Sequence, residues 1–264
     1  MINAACLIGS ATPAIGLGGA NATRYDQSGA TKEFRYTGAP SGYALGQSKK
    51  LIYRDCLKPS VLSTTRQLYE IVQQSGTVIK FFTRLNSSNQ FQIWSVKPGT
   101  NTVMLDLLAT TTPLSSTSTW YTILCELDMD DFAKCAIYIN DADQAITQTV
   151  FTTGEFFTVE AANSYTNYGS RRTGGGASSD RHFPGDRCET YVQFDEWLGI
   201  DTVAQRRKFN NASGLPTDLG PTGSLATGNQ PRIYAPDGLT MVGSIGEIIW
   251  TTNGTPDAVA GPNP

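Results

Sequence analysis

Hydrophobic and polar residues alternate with a period of two through the middle of the chain. Over 121–127 the odd-numbered positions are apolar, whereas Thr122 and Glu126 on the other face are polar. The same alternation returns over 135–140, after the polar stretch 128–131. A period of two indicates a strand with one covered face, and a short polar connection between two such strands predicts a hairpin.

Further segments have the composition of strands. Residues 77–84, 90–96, 102–108 and 189–200 are rich in β-branched, aromatic or leucine side chains. Asn, Pro and Gly between the first three accept the backbone angles of tight turns. The apolar positions of 67–74 fit a strand or a helix, and we favour a strand. The succession predicts an all-β fold of antiparallel sheets packed face to face.

The clearest helical pattern lies at 202–211, where Thr202 and Gln205 match a capping box. After it, Gly, Pro, Thr and Asn dominate around an apolar patch at 245–250. We therefore expect a short helix followed by an extended, irregular C-terminal tail that packs on the domain or reaches a neighbouring molecule.

These patterns divide the chain into three segments. Residues 1–60 are expected to be an N-terminal extension that packs on the sandwich or on a neighbour, and 61–213 to form the β-sandwich. Residues 214–264 are expected to complete the sandwich or to contact partners.

Composition excludes several function classes. The 26 Gly and 13 Pro suit many short strands, and charged residues make up only 16% of the chain. The net charge is -3 and the longest basic run is 206–208, so nucleic acid is not an expected partner. The chain contains no run of about 18 apolar residues, the length that a membrane-spanning helix needs. Residues 1–22 lack the basic start and unbroken apolar run of a secretory signal.

The five cysteines are widely spaced, and the chain has one histidine and no C-x-x-C pair. This pattern suits neither a zinc site nor a disulfide framework, so we expect most thiols to be core residues. Cys125 and Cys135 are the disulfide candidate, because they fall on one face of the two neighbouring hairpin strands; two packed thiols are the alternative.

Two stretches resemble a known fold family. The hairpin 120–128 with 136–141, in which Trp opens one strand and Tyr-x-Asn ends the next, resembles laminin-G-like and concanavalin A-like domains. Residues 194–199 followed by 206–220 are similar to the end of concanavalin A-like proteins encoded in tailed-bacteriophage and prophage structural gene clusters. The resemblance extends over 70–260 and implies an antiparallel two-sheet jelly-roll sandwich.

The resemblance also implies a non-enzymatic component of a bacteriophage virion, either a capsid decoration protein or a tail or fibre protein. It would be made in the host cytoplasm and located in the virion, with other virion proteins, copies of itself and cell-surface glycans as partners. A free lectin-like carbohydrate-binding module is the alternative, and a glycan-active hydrolase comes third. Hydrolases of this fold need two carboxylates facing one cleft, which neither 128–131 nor the neighbouring Asp195 and Glu196 provide.

The segment 163–187 is the best candidate binding surface, because it combines aromatic rings for stacking with donors for hydroxyl or carboxylate groups. Its candidate ligand-binding residues are Tyr165, Tyr168, Arg171, Arg172, Arg181 and His182. A flexible connection around 174–176 is the alternative. Trp94 and Trp197 could stack on sugars only if they faced a groove.

Asp128, Asp130 and Asp131 are the candidates for a calcium site, because carboxylate oxygens in loops are calcium ligands. Acidic turns without an ion are more frequent than calcium sites. We therefore expect no metal and no cofactor.

Overall fold

The computed structural model describes residues 22–25, 33–37, 46–73, 79–111, 113–159, 164–168, 171–172, 179–237, 251–253, 257–259 and 261–262. Within them lie two eight-stranded antiparallel sheets. In spatial order, sheet A comprises β11 (Ala142–Asp143), β10 (Ala136–Ile139), β9 (Tyr121–Asp128), β4 (Lys50–Pro59), β17 (Gly185–Phe194), β1 (Ala22–Tyr25) and β20 (Asp257–Val259), with β18 (Ile233–Ala235) also paired to β17.

In spatial order, sheet B comprises β12 (Ile146–Phe151), β8 (Val103–Ala109), β7 (Phe91–Val96), β6 (Ile79–Leu85), β5 (Arg66–Gln73), β14 (Ser164–Tyr168), β2 (Glu33–Thr37) and β19 (Thr251–Asn253). Two small sheets pair β3 (Gly46–Ser48) with β13 (Phe156–Val159) and β15 (Arg171–Arg172) with β16 (Ser179–Asp180). The hairpin partners β9 and β10 are joined by a 3-10 turn, Phe132–Lys134.

The main core lies between the two sheets. Tyr53 and Ile123 from sheet A pack with Phe81, Ile93 and Leu105 from sheet B, all fully buried. Because successive side chains point to opposite faces of a strand, burying one face of each sheet accounts for the alternation in the sequence. The prediction of an all-β, antiparallel two-sheet sandwich is confirmed, and the segment 67–74 is a strand, β5.

Sheet A is also covered on its outer face, by residues 195–232 of the chain. This second core joins Ile52, Leu124, Tyr191 and Tyr234 of the sheet to Phe209 and Leu219 of the covering segment. Every residue of β9 is consequently buried. The expectation that this strand has one solvent-exposed face is wrong, because the covering segment lies more than 70 residues away in the sequence.

Strands from 1–60 belong to both sheets. β4 lies between β9 and β17, while β1 pairs in sheet A and β2 in sheet B. The sandwich therefore begins before residue 61. The charged Arg54 and Asp55 concealed β4 in the sequence, and both side chains are buried. From 214–264, β18 and β20 pair in sheet A and β19 pairs in sheet B.

The helix α1 (Val203–Arg206) lies where the sequence predicts one but is shorter. The capping box is not formed, because Thr202 donates its hydroxyl hydrogen to the Gly199 carbonyl at 3.0 Å instead. β17 ends at Phe194, earlier than predicted, and the next residue, Asp195, has a left-handed φ of 65°. Among the described residues, no helix has the length and apolarity to cross a membrane.

Gly214 anchors the covering segment against the turn after β10. Its φ is 76°, and a Cβ added there would lie 2.5 Å from the Asn140 carbonyl carbon. We expect Gly214→Ala to lower the free energy of unfolding by more than about 1 kcal/mol, because both the backbone angle and the space require glycine. Chemical denaturation measures the loss. Gly228→Ala is a matched control: Gly228 also has a positive φ, 88°, but its added Cβ meets nothing within 4 Å. An equal loss of unfolding free energy in Gly214→Ala and Gly228→Ala would show that the close approach to Asn140 contributes nothing.

Candidate functional site

The outer face of sheet B carries an aromatic pair at its centre. Phe82 of β6 and Trp94 of β7 are directly opposed in the register, and their rings stack with centroids 5.1 Å apart at an interplanar angle of 9°. The Arg84 guanidinium lies on the Phe82 ring, 4.6 Å from its centroid. Neither ring belongs to the core clusters, and Trp94 remains half-buried. The face therefore presents aromatic surface held in one orientation.

A row of polar side chains runs beside this pair. Arg84 donates from Nε to Oε1 of Gln92 at 2.7 Å, and Gln92 donates from Nε2 to Oδ1 of Asp106 at 2.6 Å. All three side chains are half-buried and belong to the neighbouring strands β6, β7 and β8. The chain of hydrogen bonds fixes a cationic group at one end and a carboxylate at the other. We call Phe82, Arg84, Gln92, Trp94 and Asp106 the platform.

Two further charged groups flank the platform. Glu70 of β5 lies opposite Phe82 and is fully buried. Lys80 of β6 donates from Nζ to Oδ1 of Asn101 at 2.9 Å and to the Thr100 carbonyl at 3.3 Å. Glu70 and Asp106 are three strand spacings apart in the sheet, which corresponds to about 14 Å.

The candidate residues of 163–187 lie beside β5 and do not form one long loop. In the register of β14 with β5, Tyr165 is opposite Val72 and Tyr168 is opposite Tyr69. Arg171 and Arg172 form β15, which pairs with β16 and contacts β5. The backbone between β16 and β17 places the half-buried Arg181 and His182 near the start of β5, where the Arg181 carbonyl accepts from the Gln67 N–H at 2.9 Å. Their role in ligand binding stays a prediction.

The other tryptophan of interest, Trp197, lines a concavity of about 460 Å³ on the outer side of sheet A. Trp197 is 36% exposed. The Lys134 ammonium lies 5.6 Å from the ring centroid, and Trp197 Nε1 donates to the Lys134 carbonyl at 3.2 Å. The ammonium group of Lys134 thus occupies one face of the Trp197 ring. Asp143 and Asp201 are exposed at the rim.

Glu126 lines the same concavity, and its carboxylate accepts hydrogen bonds from the backbone. Its carboxylate accepts N–H groups from three consecutive residues, Leu198, Gly199 and Ile200, the last two at 2.9 Å. Burial raises the pKa of Glu126, and these hydrogen bonds oppose the rise. The carboxylate therefore fixes the covering segment to sheet A and has its acceptor capacity already engaged.

The three calcium candidates are engaged separately. Asp128 accepts from the Asp130 N–H at 3.0 Å, and Asp131 caps the 3-10 turn by accepting from the Ala133 N–H at 3.1 Å. Asp130 pairs with Lys49 at 2.9 Å. Within the described residues, no three His, Cys, Asp or Glu side chains assemble as a metal site.

The predicted disulfide partners are free thiols. Cys125 faces Ile137 in the register of β9 and β10, and Cys135 lies two residues before Ile137 in the chain. The two cysteines are therefore diagonal neighbours and not direct partners. Cys135 donates instead to the Asp128 carbonyl at 3.7 Å.

No protein-family model matches the sequence, and no curated protein matches it. Solved structures do. A heptameric SAP-like pentraxin from Limulus polyphemus aligns with 92% of this chain and 94% of its own, at 13% identity and a TM-score of 0.54. A proposed carbohydrate binding protein from Bacteroides ovatus aligns with 94% of this chain at 16% identity and a TM-score of 0.59, and the aligned part spans 61% of that longer protein. The fold is a lectin-like jelly roll.

Sequence reasoning did not select the platform. It considered Trp94 only as a residue that could stack if it faced a groove, and it passed over Phe82, Arg84, Gln92 and Asp106. The alternation on the two strands contains the signal: Phe82 and Arg84 lie on one face of β6, and Gln92 and Trp94 lie on one face of β7. The missing information was the register that places these two faces side by side.

Proposed function

We propose that this protein is a non-enzymatic, glycan-binding jelly-roll domain and that the platform on sheet B is its binding surface. The observation that carries the proposal is the stacked Phe82–Trp94 pair flanked by the hydrogen-bonded row of Arg84, Gln92 and Asp106. The likeness to a proposed carbohydrate binding protein agrees with it.

The chemistry of the platform suits a sugar. Aromatic rings pack against the apolar C–H face of a pyranose, and the neighbouring guanidinium, amide and carboxylate supply donors and acceptors for hydroxyl groups. Because Gln92 holds both Arg84 and Asp106, the polar groups are ordered before a ligand arrives, which reduces the entropy lost on binding.

The spacing of carboxylates supports the non-enzymatic part of the proposal. Glycosidases place two carboxyl groups roughly 5 to 9.5 Å apart across the scissile bond. On the platform face, Glu70 and Asp106 are separated by about 14 Å of sheet, and Glu70 is buried. The platform would therefore hold a glycan without cleaving it. Release of a shorter sugar from a glycan incubated with the protein, detected by mass spectrometry, would contradict this.

We expect Trp94→Ala to weaken glycan binding by about tenfold or more, because the variant loses the stacking surface. A glycan array with the wild-type protein would identify the probe, and isothermal titration with the strongest binding glycan would measure both proteins. Trp197→Ala is the matched control: it removes the other tryptophan considered, which lies on the opposite sheet, and should leave affinity unchanged.

The reverse result, with affinity lost in Trp197→Ala and kept in Trp94→Ala, would move the site to the concavity on sheet A. No binding to any glycan on the array would refute the glycan-binding function. Circular dichroism of both variants would show whether a loss of binding reflects a loss of fold.

We also propose that the domain serves in a bacteriophage virion, in the capsid or in the tail, together with copies of itself. This rests on the resemblance of 194–199 and 206–220 to proteins of phage structural gene clusters. Mass spectrometry of gradient-purified particles from cells carrying the gene is expected to find the chain in constant ratio to the major capsid protein. Its recovery only in the particle-free fraction would contradict the virion role.

A further inference from the structure

Two cysteines far apart in sequence are direct neighbours in sheet A. Cys56 of β4 and Cys188 of β17 are opposed in the register of these adjacent central strands. Directly opposed residues have Cβ atoms about 4.5 to 5.5 Å apart, and the short end of this range meets the longest Cβ separation, about 4.5 Å, that a disulfide usually bridges. The two cysteines form one buried cluster.

The surroundings keep the pair together and away from solvent. Cys56 is fully buried and Cys188 is 2% exposed, and the half-buried Trp120 packs over both. Thr122 donates its hydroxyl hydrogen to the Cys56 sulfur at 3.7 Å, and the Lys58 ammonium lies 5.2 Å from the Trp120 ring centroid. The sulfur atoms thus occupy a small apolar compartment formed by three neighbouring strands.

We propose that Cys56 and Cys188 form a disulfide when the chain folds in the presence of a disulfide oxidant such as oxidised glutathione. The thiolate of one cysteine attacks the oxidant and releases one molecule of reduced glutathione, leaving a mixed disulfide. The second thiolate then displaces the other glutathione and closes the Cys56–Cys188 bond. The protein loses two hydrogen atoms, and the two electrons reduce the oxidant to two thiols.

The reaction accompanies folding, because both cysteines are buried in the native protein. Hydrogen bonding to Cys56 and burial raise the pKa of Cys188 well above its usual range, and thiolates are the nucleophiles in this exchange. Before β17 pairs with β4 both thiols are accessible, and the pairing brings them together. The bond would join the two central strands of sheet A across the long loop from 56 to 188, so it should raise stability by restricting the unfolded chain.

The test is to refold the full chain in a glutathione redox buffer and to map disulfides by mass spectrometry of an unreduced digest. We expect one linked peptide pair, containing Cys56 and Cys188, and a denaturation midpoint higher than that of the reduced protein. Cys135→Ser is the matched control and should keep both the link and the higher midpoint, whereas Cys188→Ser should lose both.

A map in which Cys56 and Cys188 carry alkylated thiols, or are linked to Cys6, Cys125 or Cys135, would overturn the proposal. The map on the wild-type protein decides the matter even if Cys188→Ser fails to fold.

Discussion

Replacing Arg54 by methionine is expected to lower the free energy of unfolding by about 3 to 5 kcal/mol, since it leaves a buried charge without its partner. Arg54 is fully buried on the outer face of sheet A. Its guanidinium pairs with the Glu189 carboxylate and donates to the carbonyls of Phe209 at 2.7 Å and Thr217 at 3.2 Å. One side chain therefore joins β4, β17 and the covering segment, and methionine fills the space without replacing any of these bonds.

The loss in Arg54→Met should depend on pH. Burial raises the pKa of Glu189, while Arg54 and the Tyr234 hydroxyl, which donates at 3.0 Å, oppose the rise. Without Arg54 the pKa should rise further. At acidic pH, below the usual glutamate range, Glu189 is protonated in both folded and unfolded chains, so the buried charge costs nothing. The deficit of the variant relative to wild type should grow as the pH increases from the folded Glu189 pKa of the wild type to the higher folded pKa of the variant, and should level off above it.

Urea denaturation of wild type and variant across the acid-to-neutral range measures both effects. Adding Glu189→Gln to Arg54→Met should recover part of the stability and flatten the pH dependence. Lys49→Met is the matched control, because its ion pair with Asp130 is exposed and its loss should change stability far less than Arg54→Met does. A deficit in Arg54→Met that is constant with pH would show that the Glu189 charge is not responsible.

Replacing Asp55 by alanine is the second change with a large expected effect, again about 3 to 5 kcal/mol of unfolding free energy. Asp55 lies fully buried between the sheets and pairs with Arg187. Its carboxylate also accepts hydrogen bonds from the hydroxyl groups of Tyr53 at 2.9 Å and of Thr190 at 2.7 Å. Arg187 donates in turn to the Leu68 carbonyl of sheet B at 3.0 Å, so the network connects the two sheets.

A double-mutant cycle with Asp55→Ala and Arg187→Met, followed by chemical denaturation, measures the coupling between the two charges. The double variant should be more stable than the sum of the single losses predicts, because it buries no unpaired charge. Asp55→Asn should cost less than Asp55→Ala, since its carbonyl oxygen still accepts hydrogen bonds. Additive losses in the cycle would contradict the assignment of the pair as one unit.

Strands with regularly alternating apolar positions could be predicted from the sequence in position and type. β7, β8 and β9 lie within one or two residues of their predicted bounds, because alternation and turn residues are local signals. β4 could not be found in this way. Its outer and inner faces carry Arg54 and Asp55, which indicate a solvent-exposed segment until their distant partners, Glu189 and Arg187, are known.

The candidate site, too, could be predicted only in part from the sequence. The sequence analysis predicted a binding surface in 163–187, where aromatic and cationic residues cluster locally. The register of sheet B instead assembled the platform from three separate strands, none of which has a distinctive motif alone. For the cysteines, spacing within a hairpin suggested Cys125 and Cys135, whereas strand pairing opposed Cys56 and Cys188.

The sequence by itself determined that this chain forms antiparallel sheets, because the period of hydrophobic residues and the chemistry of turns act over a few residues. Only the tertiary structure decided which faces are covered, which charges meet and which thiols are opposed. Those outcomes depend on contacts between segments more than 100 residues apart, such as Arg54 with Glu189. The covering segment buries the outer face of sheet A, whereas Arg84, Gln92, Trp94 and Asp106 on the outer face of sheet B stay half-buried.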